Sequence, residues 1–287
     1  MASTNFLATA LLGLAGFCAF SVQATESPRI ISAGSTVTEM LSALGAEKYL
    51  VAIDLTSKAV IEDTQLPMVG YHRQLATEGL LSLSPTHLLG SDEMGPENTL
   101  HLLRSAGVQV EVFPASDSLS DFDARIDALA ALTHTQTKAE QIKATVQQQI
   151  TEISENLPAR APRVMFMMVQ EGRPISVAGA ETTVDTIIHM VGGVNPVAAH
   201  STSFKQLSSE AIVEMQPEVI LLAERTYNAL GGAAGLVQQQ PLLGLTPALQ
   251  QQQVIAIPSA AIQGGFGLAS LSLAEKLHQQ LLAIAAE

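Results

Sequence analysis

Apolar residues along this 287-residue chain fall into short continuous runs separated by longer amphipathic stretches. In the first half the runs are "RIISAG" (29–34), "LVAID" (50–54), "THLLG" (86–90) and "VQVEVFP" (108–114). In the second half they are "RVMFMMV" (163–169), "EVILLA" (218–223) and "QVIAIP" (253–258). Strand-length runs alternating with helical patterns predict parallel sheets flanked by helices. Between the halves, "HTQTKAEQIKATVQQQITEISENL" (134–157) is polar except for Ile142, Val146, Ile150 and Ile153 at helical spacing. At ~1.5 Å per residue such a helix reaches roughly 35 Å. It is either an ordinary surface helix or a strut between two lobes.

Two internal echoes favour the strut. "TVTEMLSALG" (36–45) and "TVDTIIHMVG" (183–192) share Thr-Val at the start, Gly at the end and matched apolar positions between. "RQLATEGLLSLSPTHLL" (73–89) aligns without a gap on "KQLSSEAIVEMQPEVIL" (205–221). Gln74/Gln206, Leu75/Leu207, Glu78/Glu210 and Pro85/Pro217 coincide, and each copy reads as loop, short helix, Pro and buried strand. The expected architecture is an N-terminal α/β lobe (25–133), a connecting helix (134–160) and a C-terminal α/β lobe (161–287). Both lobes are Rossmann-like, and ligands of α/β sheets bind beyond the carboxyl ends of the strands. The cleft between the lobes is therefore the default site, lined by the loops after strands 50–54, 86–90, 163–169 and 218–223.

Composition narrows the partners. The formal net charge of −13 argues against binding a nucleic-acid backbone, although a local basic pocket for an anionic ligand remains open. The apolar "FLATALLGLAGFCAFSVQA" before "TESPR" reads as a secretory signal peptide, residues 1–24, with an uncleaved anchor as the alternative. The single cysteine, Cys18, lies inside it, so the exported chain has none. No later run is long and apolar enough to span a bilayer. These features predict an exported, periplasmic protein. No G-x-S-x-G elbow, P-loop or H-E-x-x-H marks an enzyme.

The stretches "RIISAGSTVTEMLSALG", "LPMVGYHRQLATEGLLSLSPTHLL", "PISVAGAETTVDTIIHMVGGVN" and "LGGAAGLVQQQPLLGLTPA" carry a family resemblance. The chain resembles the periplasmic substrate-binding proteins of ABC importers that have a helical backbone, the cobalamin- and siderophore-type class. Within it, a Tyr after the Gly with an Arg close behind is similar to the haem-binding members. The resemblance implies that Tyr71 ligates ferric haem iron (haem b, as cargo) through its phenolate. It also implies docking on a dimeric ABC permease through one Glu per lobe, here Glu78 and Glu210, and an outer-membrane haem receptor upstream. A ferric siderophore or cobalamin as cargo is the alternative.

The chemistry is consistent with that reading. A phenol with pKa near ~10 is protonated at neutral pH, but a ferric ion favours the anionic, hard phenolate. A guanidinium donating to the phenolate oxygen helps further. Arg73, two residues on, could face the same way in an extended loop. The plain alternative is that Tyr71 packs a loop and its hydroxyl meets water. His72 is a second candidate ligand, but adjacent residues in extended chain face opposite sides. His87, His101, His134, His189, His200 and His278 are scattered without metal-site spacing. Some haem-binding relatives have a His in the loop after the first strand of the second lobe, whereas here that loop reads "VQEGRP" (169–174). Arg225 and Arg173 are candidate partners for the haem propionates, with Tyr227 beside them. Met68, Met167, Met168 and Phe266 are candidates for apolar surface against the porphyrin, or for core. At a helix start, Glu78 and Glu210 could equally be capping residues.

Overall fold

The structure of the protein, a computed structural model, describes residues 27–61 and 65–286. The predicted signal peptide and Cys18 lie outside the described residues. Every strand expected from the apolar runs forms. In the first half β1 (Ile30–Ala33), β2 (Leu50–Ile53), β3 (His87–Ser91) and β4 (Gln109–Phe113) make one sheet in the order β2-β1-β3-β4. All of its pairings are parallel, as the alternating pattern predicts. Helices α1 (Ser35–Ala43), α2 (Thr77–Leu81) and α3 (Glu97–Ser105) connect these strands, and α4 (Leu119–Thr133) follows β4.

The second sheet corrects the expectation of purely parallel strands. Its order is β7-β6-β5-β8-β9, from β5 (Val164–Met168), β6 (Ile175–Ala178), β7 (Phe204–Leu207), β8 (Val219–Ala223) and β9 (Val254–Ile257). β5, β8 and β9 run parallel, but β6 and β7 are antiparallel additions on the far side of β5. The turn at Gln170–Arg173, closed by the Arg173 amide on the Gln170 carbonyl at 3.2 Å, folds β6 back on β5. Antiparallel neighbours can be joined by such a short connection; a parallel pair cannot.

The polar segment between the halves is helical, α5 (Gln136–Glu155), 20 residues and therefore about 30 Å long. Its buried positions are Ala139, Val146 and Ile153, spaced seven apart. Ala139 and Val146 enter the core built around β1 and α4, whereas Ile153 enters the core around β5 and β8. One stripe of one helix thus seats both lobes. The last helix, α11 (Leu268–Ala285), does the same in the other direction. Its Leu271 joins the first core, and Leu273, Ala274, Leu277, Leu281 and Ile284 join the second. His278 on α11 is bonded through Nε2 to the Asn156 carbonyl just past α5, at 2.7 Å.

A strap of second-lobe chain, residues 263–269, threads into the first lobe. Thr36 Oγ1 donates to the Gln263 carbonyl at 2.7 Å, and the Phe266 amide donates to the Ser116 carbonyl at 3.1 Å. Phe266 packs edge-on against Phe122 of α4, 6.3 Å between ring centres, with no exposure. Gly265, at φ +83°, has the Ser116 carbonyl 2.6 Å from where a Cβ would stand, so no other residue fits. Arg125 of α4, 2% exposed, donates to the carbonyls of Pro114 (2.8 Å), Gly264 and Phe266 (both 3.4 Å). Beside it the Glu39 carboxylate accepts from the Leu268 and Ala269 amides at 2.7 and 3.0 Å, closing the free N-terminus of α11. Burial pushes the Glu39 carboxyl up to about 7, against those two amides and the Arg125 charge. Asp117, whose pKa burial also raises, leans on Thr183 and Thr186 of α6 (Thr183–Met190).

Candidate ligand-binding site

A β2-β1-β3 order places a topological switch between β1 and β3, the position where α/β sheets bind ligands. A narrow recess lies there, among Gly34–Val37, His72, Glu93 and the strap residues Gln263 and Gly264. The floor is organised by Asp54, at the carboxyl end of β2. Its side chain is fully buried and accepts from the amides of Gly34 (3.0 Å), Thr56 (3.1 Å) and Ser57 (3.2 Å). The hydroxyls of Thr56 (2.7 Å) and Ser57 (2.5 Å) donate to it as well. His72 Nδ1 completes the shell at 3.1 Å. Burial pushes the Asp54 carboxyl up, but the bonds from His72, Ser57 and Thr56 outweigh it and hold it below its usual range.

This hub sets the tyrosine loop. Residues 67–69 run beside β2, with the Val69 amide on the Ile53 carbonyl at 3.0 Å. Gly70, at φ +86°, then turns the chain in a way a side chain would resist. Tyr71 leads into a single 3₁₀ turn, His72–Gln74. His72 is 3% exposed and Tyr71 38%, so the two adjacent side chains part company: one enters the hub, the other leaves it. Their rings still touch, 4.5 Å between centres and tilted by 56°. His72 is thus engaged by Asp54 beneath the tyrosine.

Arg73 is exposed on the same turn, and its Nη2 donates to Glu93 Oε1 in an ion pair. The other Glu93 oxygen is 3.9 Å from His72 Nε2. Glu93 comes from the loop after β3, which is tied to the tyrosine turn by backbone. The Gly95 amide donates to the His72 carbonyl (2.9 Å), and the Leu75 amide to the Gly95 carbonyl (2.8 Å). Sequence reasoning passed over both carboxylates. The signal was present: each is an acid at or just past the carboxyl end of a buried parallel strand, in the loops already expected to line the site.

The second lobe contributes a different surface. A hollow of about 1420 Å³, open to solvent, lies between Val169–Glu171 after β5 and the helices α8 (Glu224–Leu230) and α9 (Gly232–Gln239). Arg225 stands in its wall. Arg173 is exposed in the turn before β6. Tyr227 is half-buried against the core under α9, and a Cβ on Gly232 would come within 3.2 Å of its hydroxyl. Neither Arg173 nor Tyr227 is in the wall of this hollow. Of the four apolar candidates, Met68 and Met168 are exposed, at 45% and 37%. Met167 and Phe266 take the core alternative. β5 alternates its side chains, so Met167 enters a core while Met168 emerges, and Phe266 is the strap's anchor in the first core. Among the described residues, no group of three or more His, Cys, Asp or Glu is placed to hold a bare metal ion.

Glu78 and Glu210 are each the second residue of their helices, α2 and α7 (Ser209–Glu214), and both are exposed. The α7 start is capped by Ser208, which accepts from the Ala211 amide at 3.3 Å, and there Glu210 titrates low, held by its own amide and the Ser208 hydroxyl. The α2 start, after Ala76, has no side-chain cap.

Two α/β lobes on a shared helical spine, with a site at the carboxyl ends of their strands, define a two-lobe binding protein. The chain belongs to the periplasmic binding protein family, whose pattern it matches over residues 30–261. It is similar to the periplasmic haem-binding protein HutB of Vibrio cholerae: 46% identity, TM-score 0.84, 89% of this chain and 99% of that one covered. It is also similar to the periplasmic haem-binding protein RhuT of Roseiflexus sp. RS-1: 31% identity, TM-score 0.82, coverage 90% and 99%. Among curated relatives, the vitamin B12-binding protein of Pectobacterium atrosepticum is 26% identical over 198 residues, 68% of this chain and 71% of that one.

Proposed function

We propose that this protein carries ferric haem in the periplasm, binding it between its lobes with the Tyr71 phenolate on the iron and delivering it to a dimeric ABC permease. The observation that carries the reading is the tyrosine turn. Tyr71 is exposed, its ring against that of His72, which lines the first-lobe recess and is engaged from beneath by Asp54, and the cation Arg73 follows. Iron displaces the phenolic proton, and the anion is hard enough to suit a ferric centre. The Arg73 guanidinium has donors beyond the one spent on Glu93 and can give one to the phenolate. Arg225 is then the second-lobe cation for a propionate, with Arg173 and Tyr227 flanking at greater remove. The two solved relatives described above, 46% and 31% identical, are both named as haem-binding proteins. Residues 1–24 direct export, haem arrives through an outer-membrane receptor, and the exposed Glu78 and Glu210 meet permease cations.

Titration of the exported form (25–287) with ferric haem tests this, with cobalamin as the competing cargo. The expected result is a saturable, shifted Soret band with tyrosinate-to-iron charge-transfer features that Tyr71→Ala removes and His72→Gln retains. Saturable cobalamin binding without haem binding would overturn the reading in favour of the vitamin carrier.

A further inference from the structure

Arg73 has a counter-charge built behind it. Glu93 is 29% exposed and Arg73 51%, so the carboxylate end of their ion pair is the more sheltered from water. Both partners stand on loops that the Gly95 amide and carbonyl lock together. Glu93 is itself braced, with its amide 3.4 Å from Ser91 Oγ and its second oxygen facing His72. A long guanidinium on an exposed turn would otherwise sample many rotamers. Here one Nη is held by Glu93, which narrows the rotamers open to the guanidinium and leaves its other N–H groups free to donate.

We propose that Glu93 is a positioning residue for the iron ligand: it holds the Arg73 guanidinium so that the donors left free are aimed at the Tyr71 phenolate. The inference rests on the reading that Tyr71 ligates the iron. Two carboxylates then stand behind the tyrosine turn with separate tasks. Asp54 fixes the ring beneath Tyr71 through His72, and Glu93 fixes the cation that stabilises its oxygen. Second-sphere groups of this kind typically alter metal affinity ~10–100-fold when removed. The opposing possibility is that Glu93 competes with the phenolate for Arg73, and its removal would then tighten binding.

The test is a double-mutant cycle on haem release in the exported protein, using Glu93→Ala, Arg73→Ala, the pair, and Glu93→Gln and Glu93→Asp. Haem dissociation into excess apomyoglobin and the position of the charge-transfer band are read for each. The expected results are ~10-fold faster loss and a shifted band for Glu93→Ala, partial recovery in Glu93→Asp, and no further effect of Glu93→Ala once Arg73 is absent. Slower loss in Glu93→Ala, or an equal effect in both Arg73 backgrounds, overturns the proposal. Thermal unfolding of each haem-free variant separates a loss of fold from a loss of positioning, and Glu93→Gln keeps shape and volume if Glu93→Ala unfolds. Tyr71→Ala in the same series keeps the two ideas apart. A band abolished by Tyr71→Ala but indifferent to Glu93 sinks the positioning role alone. A band indifferent to Tyr71 sinks the ligand assignment beneath it.

Discussion

The segments 71–91 and 203–223 share their sequence pattern and diverge in structure over a few residues. Both end in a short helix with Glu in second position, a Pro, and a strand buried along all (β3) or all but its last residue (β8). Before the helix they part. Phe204–Leu207 forms an edge strand on β6, whereas the matching His72–Gln74 winds into a single 3₁₀ turn. The cause is the neighbour. In the second lobe β6 offers a row of backbone partners, with Val177 opposite Lys205 and Ser176 opposite Gln206. Among the described residues no strand pairs with His72–Gln74 in the first lobe, and a buried acid, Asp54, draws His72 inward instead. One pattern therefore completes a sheet in one lobe and presents a phenol in the other.

The sharpest way to break this comparison is to move the tyrosine. Tyr71→Ser combined with Ser203→Tyr keeps composition and shifts the phenol to the matched position. Because the Ser203 carbonyl is held by the Gly179 amide at 3.0 Å and no hub lies beneath, haem affinity should fall roughly 100-fold or more, ~3 kcal/mol or above. Retained affinity in the exchanged protein would show that position within the repeat, and not the hub, makes the site.

Next in size is the hub itself. Asp54→Ala strands several buried donors and should destabilise the fold by about 3–5 kcal/mol. Haem binding should weaken as well. A buried polar cluster of the second lobe gives the contrast: Asn195 Nδ2 donates to the Ala178 carbonyl (3.0 Å) and to Asp185 (2.8 Å). Asn195→Ala should cost about 1–3 kcal/mol with haem affinity unchanged. Denaturant unfolding beside haem titration checks both, and equal losses of haem affinity would erase the distinction between the lobes.

The junction between the lobes should respond to pH. The Glu39 carboxyl is raised from an ordinary 4.5 to about 7, so the folded chain holds that proton more tightly than the unfolded one. Its stabilising contribution is full below about 4.5 and is lost as pH rises through about 7, a change of about 3 kcal/mol. The stability of the parent relative to Glu39→Gln should therefore decline across that window. A difference that stays flat from pH 4 to 8 would mean that Glu39 titrates alike in the folded and the unfolded chain. The smallest effect on the fold belongs to Glu78→Arg with Glu210→Arg. Unfolding should move by only ~0.3–1 kcal/mol per site, and haem binding should stand, while permease-dependent uptake fails. Normal uptake would return both residues to helix starts and nothing more.

Much of this was legible in the chain. Seven strands announced themselves as apolar runs, and Ile142, Val146, Ile150 and Ile153 gave the spine. Tyr71 and Arg73 stood out because a turn glycine preceded them. β6 and β7 did not. Each has four residues, and "FKQL" is exposed along nearly its whole length, so no alternation marks it. Its alignment on a loop in the first lobe pointed the wrong way. Met167 and Phe266 were ambiguous because an apolar residue suits a core and a porphyrin equally, and only strand phase decides. Glu39, Arg125 and Asp117 were invisible for another reason. Each looks like a surface charge until chain from the opposite lobe arrives to cover it.

The strap through Gly265 bears on how a partner could learn that the cleft is full. Swinging the lobes apart or together would have to tear Thr36 from Gln263, Arg125 from Gly264 and Phe266, and Glu39 from the start of α11. On the proposed function, a carrier tied this way has little change of outline with which to advertise its cargo. It also forfeits none of its affinity to an unoccupied, wrongly shaped population. Any discrimination between full and empty carriers then has to come from touching the cargo at the rim. On that reading, the work of prising the cargo out falls to the proposed permease.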